Sequence, residues 1–198
     1  MITSQRMAAR VARTLVQTVW SGKKVSDLDQ EWARRLAEAE QKARASGRGD
    51  VAAYLALRAS NDMARAIGVE WLLETFTALA GEANRTGASI NLTQQDAHRF
   101  HVGTSTMVGS KLTLRAGVRA LIVEAGWPRT PHDGIVRGGG LASAKISHFG
   151  NRAAGEDLLL IHGAEGVPQW VVLENSGARS LLSEDHMRHH IAKLLTGN

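Results

Sequence analysis

The sequence predicts an α+β fold: an N-terminal antiparallel layer of three or four helices, a mostly antiparallel sheet of four or five strands, and a C-terminal helix. Apolar residues recur at helical spacing as far as residue 87. Short β-favouring runs separated by glycine follow from residue 88, and an amphipathic segment comes last. We therefore expect a helical region, 1–87, and a β-rich region with the final helix, 88–198, as two domains or as one continuous domain.

The helical region divides into segments at capping residues and glycines. A first helix is expected at residues 3–20, with an apolar side formed by Met7, Val11, Leu15 and Val19. A second helix, capped by Ser26, should stop at Gly47. Helical periodicity then resumes and reaches Gly87, and Gly68 either breaks this stretch into a third and a fourth helix or only weakens one continuous helix.

The β-rich region contains one short helix pattern and five strand patterns. Residues 93–96 resemble a helix cap and predict a short helix that reaches Phe100. The segment GAEGVP at 163–168 predicts a hairpin turn, and Ser183 should cap the last helix. Because successive strands have no long helix between them, the sheet is expected to be mostly antiparallel. The expected strands are residues 111–115, 118–124, 141–149, 158–162 and 169–174.

The composition excludes several kinds of chemistry. The 198 residues contain no cysteine, which rules out disulfides, thiolate nucleophiles and cysteine-bound zinc. No apolar run approaches the roughly 20 residues that span a bilayer, so no transmembrane segment is expected. These observations favour a cytoplasmic protein.

Residues 98–152 form a basic, Gly/His-rich central stretch. Because a positive patch attracts anions, we expect a binding protein for nucleic acid or for a phosphate-bearing ligand. The alternative is that basic and acidic blocks of the chain, whose formal net charge is +5, neutralise one another in the fold. The expected ligand-binding residues are Lys111, Arg115, Arg119, Arg129, Arg137, Gly138, Gly139, Gly140 and Lys145.

Three consecutive glycines follow Arg137 within this stretch. Such a run costs conformational entropy, so a fold that keeps it often needs a left-handed backbone or the close approach of a ligand. Arg137 would add a bidentate donor for that ligand. A mobile loop is the competing explanation.

All eight histidines lie at or after His98. The pairs His98/His101, His186/His189 and His186/His190 have helical spacing, and such pairs can supply two imidazoles to one metal ion. A complete site needs a third ligand, and the sequence contains no motif such as HExxH that provides it. A solvated basic face of the last helix explains His189 and His190 more simply. No metal site is therefore predicted.

An enzyme is the first alternative to a binding protein. Imidazole titrates near neutrality, which makes His101, His132 and His148 candidate acid–base residues. The sequence contains no nucleophile elbow, no dinucleotide-binding fingerprint and no phosphate loop. The identity of any cofactor is therefore unknown at this stage.

The central stretch also contains three short motifs: FHVGTS at residues 100–105, LRAGVR at 114–119 and GGGLAS at 138–143. In this order they resemble the His-Gly-Thr/Ser strand, the Leu-x-x-Gly-Leu/Val-Arg turn and the glycine-rich segment of ADP-ribosyltransferases. The resemblance implies a transferase, with Glu174 as the candidate for the catalytic glutamate. Val102 interrupts the first motif, and this insertion turns the residues after it to the opposite face of a strand.

A structural or regulatory interaction module is the second alternative. Its amphipathic helices, residues 1–87, would form a homo-oligomer, and its sheet would bind a partner protein. A molecular mass that depends on concentration would favour this hypothesis, whereas binding that weakens steeply with salt would favour nucleic acid.

Overall fold

A computed structural model of the chain describes residues 27–163, 166–174 and 176–196. The helix expected at residues 3–20 lies outside them. The chain divides into two compact units, residues 1–59 and 60–198. The described residues confirm the α+β class, with three helices and one seven-stranded antiparallel sheet.

The described part of the first unit contains helix α1 (Asp27–Ala45) and the start of helix α2 (Gly49–Arg85). α1 ends where the sequence predicts, because Gly47 adopts a left-handed φ of 71°. The chain then reverses over three residues, which makes the two helices antiparallel neighbours. The guanidinium carbon of Arg58 on α2 lies 5.0 Å from the ring centre of Trp32 on α1.

In the second unit, seven strands form a meander in which each strand is antiparallel to the next. The predicted number of four or five strands is too low, because the first strand and the short last one were missed. The strands on either side of residues 163–168 pair antiparallel as the predicted hairpin requires, with His162 opposite Pro168. The strands are β1 (Asn91–Val102), β2 (Ser105–Ala116), β3 (Arg119–Trp127), β4 (Ala142–His148), β5 (Asn151–His162), β6 (Pro168–Leu173) and β7 (Arg179–Leu181).

The short helix predicted to reach Phe100 is wrong, because that segment belongs to strand β1. Asp96, expected in a helix cap, instead accepts hydrogen bonds from Gln94 Nε2 at 3.0 Å and from Ser110 Oγ of β2 at 2.9 Å. β1 also contains a bulge near Ala97, whose φ is 54°. The bulge interrupts the alternation of side chains, which conceals the strand in the sequence.

Of the two alternatives at Gly68, the structure has the continuous helix, because α2 runs through this glycine without a break. A β-carbon on Gly68 would lie 2.6 Å from a methyl group of Leu160 on β5. The Gly68 carbonyl accepts a hydrogen bond from Trp170 Nε1 at 2.7 Å. Gly68 therefore permits a close approach of helix and sheet. Among the described helices, none is both long enough and apolar enough to cross a membrane.

The second part of α2 and helix α3 (Glu184–Thr196) pack on one face of the sheet. α3 begins as predicted, because the His186 N–H donates to Ser183 Oγ at 3.2 Å. Core residues occupy alternate positions along β2 to β6, and burying each large one contributes about 1.5–3 kcal/mol. This core includes Leu72, Phe76, Leu112, Leu114, Leu121, Val123, Ile146, Leu158, Leu160, Met187, Ile191 and Leu194.

Candidate functional site

Two histidines of α3 and one glutamate of β5 converge at the edge of the core. His186 and His190 are four residues apart on α3, so their imidazoles lie on the same face of the helix. Glu156 reaches them from β5, and one ligand atom of each residue lies within 4.8 Å of the others. Two imidazoles and a carboxylate are a ligand set that zinc sites use. We call these three residues the His–Glu cluster.

The distances within the His–Glu cluster are close to those of a metal site. His190 Nε2 lies 3.3 Å from Glu156 Oε2, and His186 Nε2 lies 2.7 Å from the same oxygen. Tetrahedral bonds of about 2.0–2.1 Å place ligand atoms about 3.3 Å apart. The first distance already matches this value, and the second corresponds to a hydrogen bond that would lengthen on metal binding.

His190 is the most deeply buried residue of the His–Glu cluster. Its side chain is 1% exposed, and Nε2 makes no hydrogen bond, although Glu156 Oε2 is near. Within the described residues it is the one buried side-chain nitrogen or oxygen without a hydrogen-bond partner. Leaving such a group unsatisfied costs about 1–3 kcal/mol. Coordination of a metal ion by Nε2 would remove this cost.

His148, at the end of β4, holds the other side of the His190 ring. His148 Nε2 and His190 Nδ1 are 2.9 Å apart, and the ring centres are 5.2 Å apart in a stacked arrangement. Phe76 of α2 lies 6.4 Å from His190, centre to centre. When the His190 Nδ1–H donates to His148, the lone pair of His190 Nε2 points towards Glu156. Metal-binding histidines are commonly oriented by such a second hydrogen bond.

The surroundings keep these two imidazoles neutral at pH 7. Burial lowers the pKa of His190 to about 4, although the nearby Glu156 carboxylate opposes this effect. Burial also lowers the pKa of His148, and the positive charge of Lys193 lowers it further. A metal ion binds the neutral form of imidazole, so no proton would have to leave His190 for binding.

The sequence identifies two of the three residues of the His–Glu cluster. The His186/His190 spacing is a genuine helical pair, but the expected solvated face is wrong for His190, which is buried. The third ligand, Glu156, precedes the run expected as a strand, and only the pairing of β5 in the sheet brings it to α3. The His98/His101 pair lies on strand β1 instead of a helix; His98 Nε2 lies 2.6 Å from Glu124 Oε1.

The three acid–base candidates do not meet in one site. His101 lies beside Thr106 at the start of β2, with 3.4 Å between His101 Nδ1 and the Thr106 hydroxyl. His132 is exposed in the segment between β3 and β4. His148 of β4 pairs with Leu121 of β3, which is level with the opposite end of β2, about 25 Å further along the strand direction. Only His148 contacts the His–Glu cluster.

The predicted anion-binding cations are distributed over several parts of the sheet. Lys111 and Lys145 flank Glu124 on adjacent strands, in a row of alternating charge that Asp157 continues. The structure places the other four at two ends of the sheet: Arg115 and Arg119 near the β2–β3 turn, Arg129 and Arg137 between β3 and β4.

The glycine run between β3 and β4 is packed against the protein itself. Gly138 has a left-handed φ of 75°, and its carbonyl accepts a hydrogen bond from Arg179 at 3.1 Å. A β-carbon on Gly140 would lie 2.3 Å from Leu159. Gly139 lies between these two glycines and is also left-handed, with a φ of 73°. The Arg137 side chain, just before the glycine run, donates a hydrogen bond to the Thr104 hydroxyl at 3.0 Å. Arg129 stacks on Trp127, 3.9 Å from the ring centre.

The three motifs that resemble ADP-ribosyltransferases occupy both ends of the sheet. Residues 100–105 form the end of β1 and the turn into β2, and the Arg137–Thr104 hydrogen bond connects them to the segment that leads to 138–143. Residues 114–119 form the turn at the far end of β2. Glu174 follows β6 and is exposed. The transferase hypothesis stays a prediction.

The chain was compared with known protein families, with curated proteins and with solved structures. No family model matches the sequence, and no curated protein or solved structure is significantly similar to the chain. The function must therefore be argued from the geometry of the chain itself.

Proposed function

We propose that this chain binds a divalent transition-metal ion, of the zinc class, through the His–Glu cluster. The observation that carries the proposal is the buried Nε2 of His190, which makes no hydrogen bond and lies 3.3 Å from the Glu156 carboxylate. The His186–Glu156 contact has the length of a hydrogen bond, whereas the contact of His190 Nε2 with the same oxygen is longer and lacks hydrogen-bond geometry. A metal ion bound to all three residues accounts for both.

The ligand set narrows the choice of metal. Two imidazole nitrogens and one carboxylate oxygen suit Zn²⁺ and its neighbours such as Fe²⁺ or Ni²⁺, whereas Mg²⁺ and Ca²⁺ prefer oxygen ligands alone. The chain has no cysteine, so no thiolate competes for the ion.

The exposure of the cluster favours an open coordination position. The His186 and Glu156 side chains are 33% and 27% exposed, so water reaches the outer side of the cluster. Zinc sites with three protein ligands and one water are typical of enzymes, whereas four protein ligands are typical of structural sites. If the chain is an enzyme, we therefore expect its chemistry to depend on a metal ion held by the His–Glu cluster.

Isothermal titration calorimetry of the chelator-treated full chain tests the proposal. We expect one equivalent of Zn²⁺ to bind at pH 7.5. We expect Glu156→Gln and His190→Leu each to weaken binding about 100-fold or more, because each removes one of three ligands. His189→Ala is the matched control, since His189 is exposed on the same helix, and it should bind as the unchanged chain does.

Two results would contradict this proposal. One is the absence of stoichiometric Zn²⁺ binding to a chain whose circular dichroism shows it to be folded. The other is an equal loss of affinity in His189→Ala and His190→Leu, which would indicate non-specific binding to histidines of the surface.

A further inference from the structure

A second feature lies where the turn between β4 and β5 approaches the end of α3. A recess of about 180 Å³ opens there, and its lining includes Arg119, His148, Phe149, Asn151 and Lys193. None of the three residues of the His–Glu cluster lines it. We propose that this recess binds the phosphate group of a small ligand, independently of the metal proposal.

Charge is the first argument for an anionic ligand. Arg119, at the first position of β3, and Lys193, in the last turn of α3, both line the recess. Among the described residues, no Asp or Glu lines it. Two cations on one recess without a carboxylate beside them create a positive potential that an anion relieves.

The guanidinium of Arg119 is held in place while part of it stays available. Its Nη1 donates to the backbone carbonyls of Leu194, at 3.5 Å, and of Leu195, at the C-terminal end of α3. Its Nε and Nη2 make no hydrogen bond to the described residues. A guanidinium fixed at one terminal nitrogen can present its remaining N–H groups to two oxygens of a phosphate.

The size of the recess indicates how much of a ligand it holds. Pockets for drug-sized molecules have volumes of about 300–1,000 Å³. A recess of about 180 Å³ suits a single ionic group, with the remainder of the ligand outside. Phosphate carries close to two negative charges and several acceptor oxygens, which matches two cations on one recess better than a singly charged carboxylate does.

Phe149 can distinguish two ligands that would supply the phosphate group, a nucleotide and inorganic phosphate. Its ring lies at the recess and is 74% exposed, so it offers a flat apolar surface to a ligand bound there. A nucleoside monophosphate would stack its base on Phe149, whereas inorganic phosphate would make no use of the ring. Both ligands would share the contacts with Arg119 and Lys193.

Calorimetric titration of the chelator-treated full chain with inorganic phosphate and with adenosine monophosphate, at about 50 mM salt, tests this inference. We expect saturable binding of at least one ligand, and an increase in Kd of about tenfold or more in Lys193→Gln, which removes a charge-assisted hydrogen bond. Lys145→Gln is the matched control, because it removes the same charge from the opposite face of the sheet. Its Kd should stay within about twofold of the original.

The Phe149→Ala variant then identifies the source of the phosphate. A weaker affinity for adenosine monophosphate with unchanged phosphate binding supports a nucleotide, and an unchanged affinity for both supports a smaller phosphate-bearing ligand. The inference is overturned if neither compound binds saturably, or if Lys145→Gln and Lys193→Gln lose affinity equally. Because the protein is free of metal throughout, these results are independent of Zn²⁺ binding.

Discussion

Zinc in large excess over its Kd is expected to raise the thermal unfolding midpoint of the chain by roughly 10 °C. A ligand that binds only the folded state at 1,000 times its Kd adds about 4 kcal/mol to the free energy of unfolding. For a unit of the size of residues 60–198, each kcal/mol moves the midpoint by about 2–4 °C. Differential scanning calorimetry of the chain with chelator and with zinc measures the difference.

The variants separate this effect from a general influence of zinc. His190→Leu should melt at the same temperature with and without zinc, because the buried ligand is gone, whereas His189→Ala should keep the full increase. A zinc-dependent increase of similar size in His190→Leu would contradict the prediction, since it would place the stabilising ion elsewhere.

Acid is expected to destabilise the metal-free chain by about 3 kcal/mol between pH 6.5 and pH 4, as His190 and the groups coupled to it take up protons. Burial lowers the pKa of this imidazole from 6.5 to about 4 in the folded state. Between these values the unfolded chain binds more protons than the folded chain, so the stability present above pH 6.5 is lost as the pH falls towards 4. The difference between the two pKa values corresponds to about 3 kcal/mol.

The groups around His190 explain the direction of this effect. Glu156 on β5 favours the protonated ring, and His148 on β4 and His186 on α3 oppose it. Burial exceeds the effect of Glu156. Urea unfolding at successive pH values measures the loss, and His190→Leu should show a flatter profile over the same window. A profile in His190→Leu as steep as that of the unchanged chain would show that other groups cause the acid sensitivity.

Local sequence signals predict most of the elements, and the errors have physical causes. Caps and glycines define α1 and α3 correctly, because these ends depend on neighbouring residues. At Gly68 the same reasoning leaves a helix break and a continuous helix open, since the role of this glycine is to accommodate Leu160 of a distant strand. β1 was missed because its cap-like Asp96 is bound to Ser110 of β2, a contact that the sequence does not reveal.

The candidate site likewise depends partly on local sequence patterns and partly on contacts between residues far apart in the sequence. The four-residue spacing of His186 and His190 is visible in the sequence, and it correctly indicates imidazoles on one face of a helix. The contribution of Glu156 and the burial of His190 depend on the packing of α3 against β5 and Phe76. The positive charge of residues 98–152 is a weaker guide to a binding site, since Lys111 and Lys145 lie beside Glu124 in the sheet.

A crystal structure of the full chain with one equivalent of zinc, with anomalous data collected at the zinc edge, tests the central claim most directly. We predict one strong anomalous peak about 2.0–2.2 Å from His186 Nε2, His190 Nε2 and a carboxylate oxygen of Glu156. Movement of His186 away from its present hydrogen bond with Glu156 would accompany it. A structure in which zinc lies on exposed histidines, and in which Nε2 of His190 binds no ion, would contradict the account.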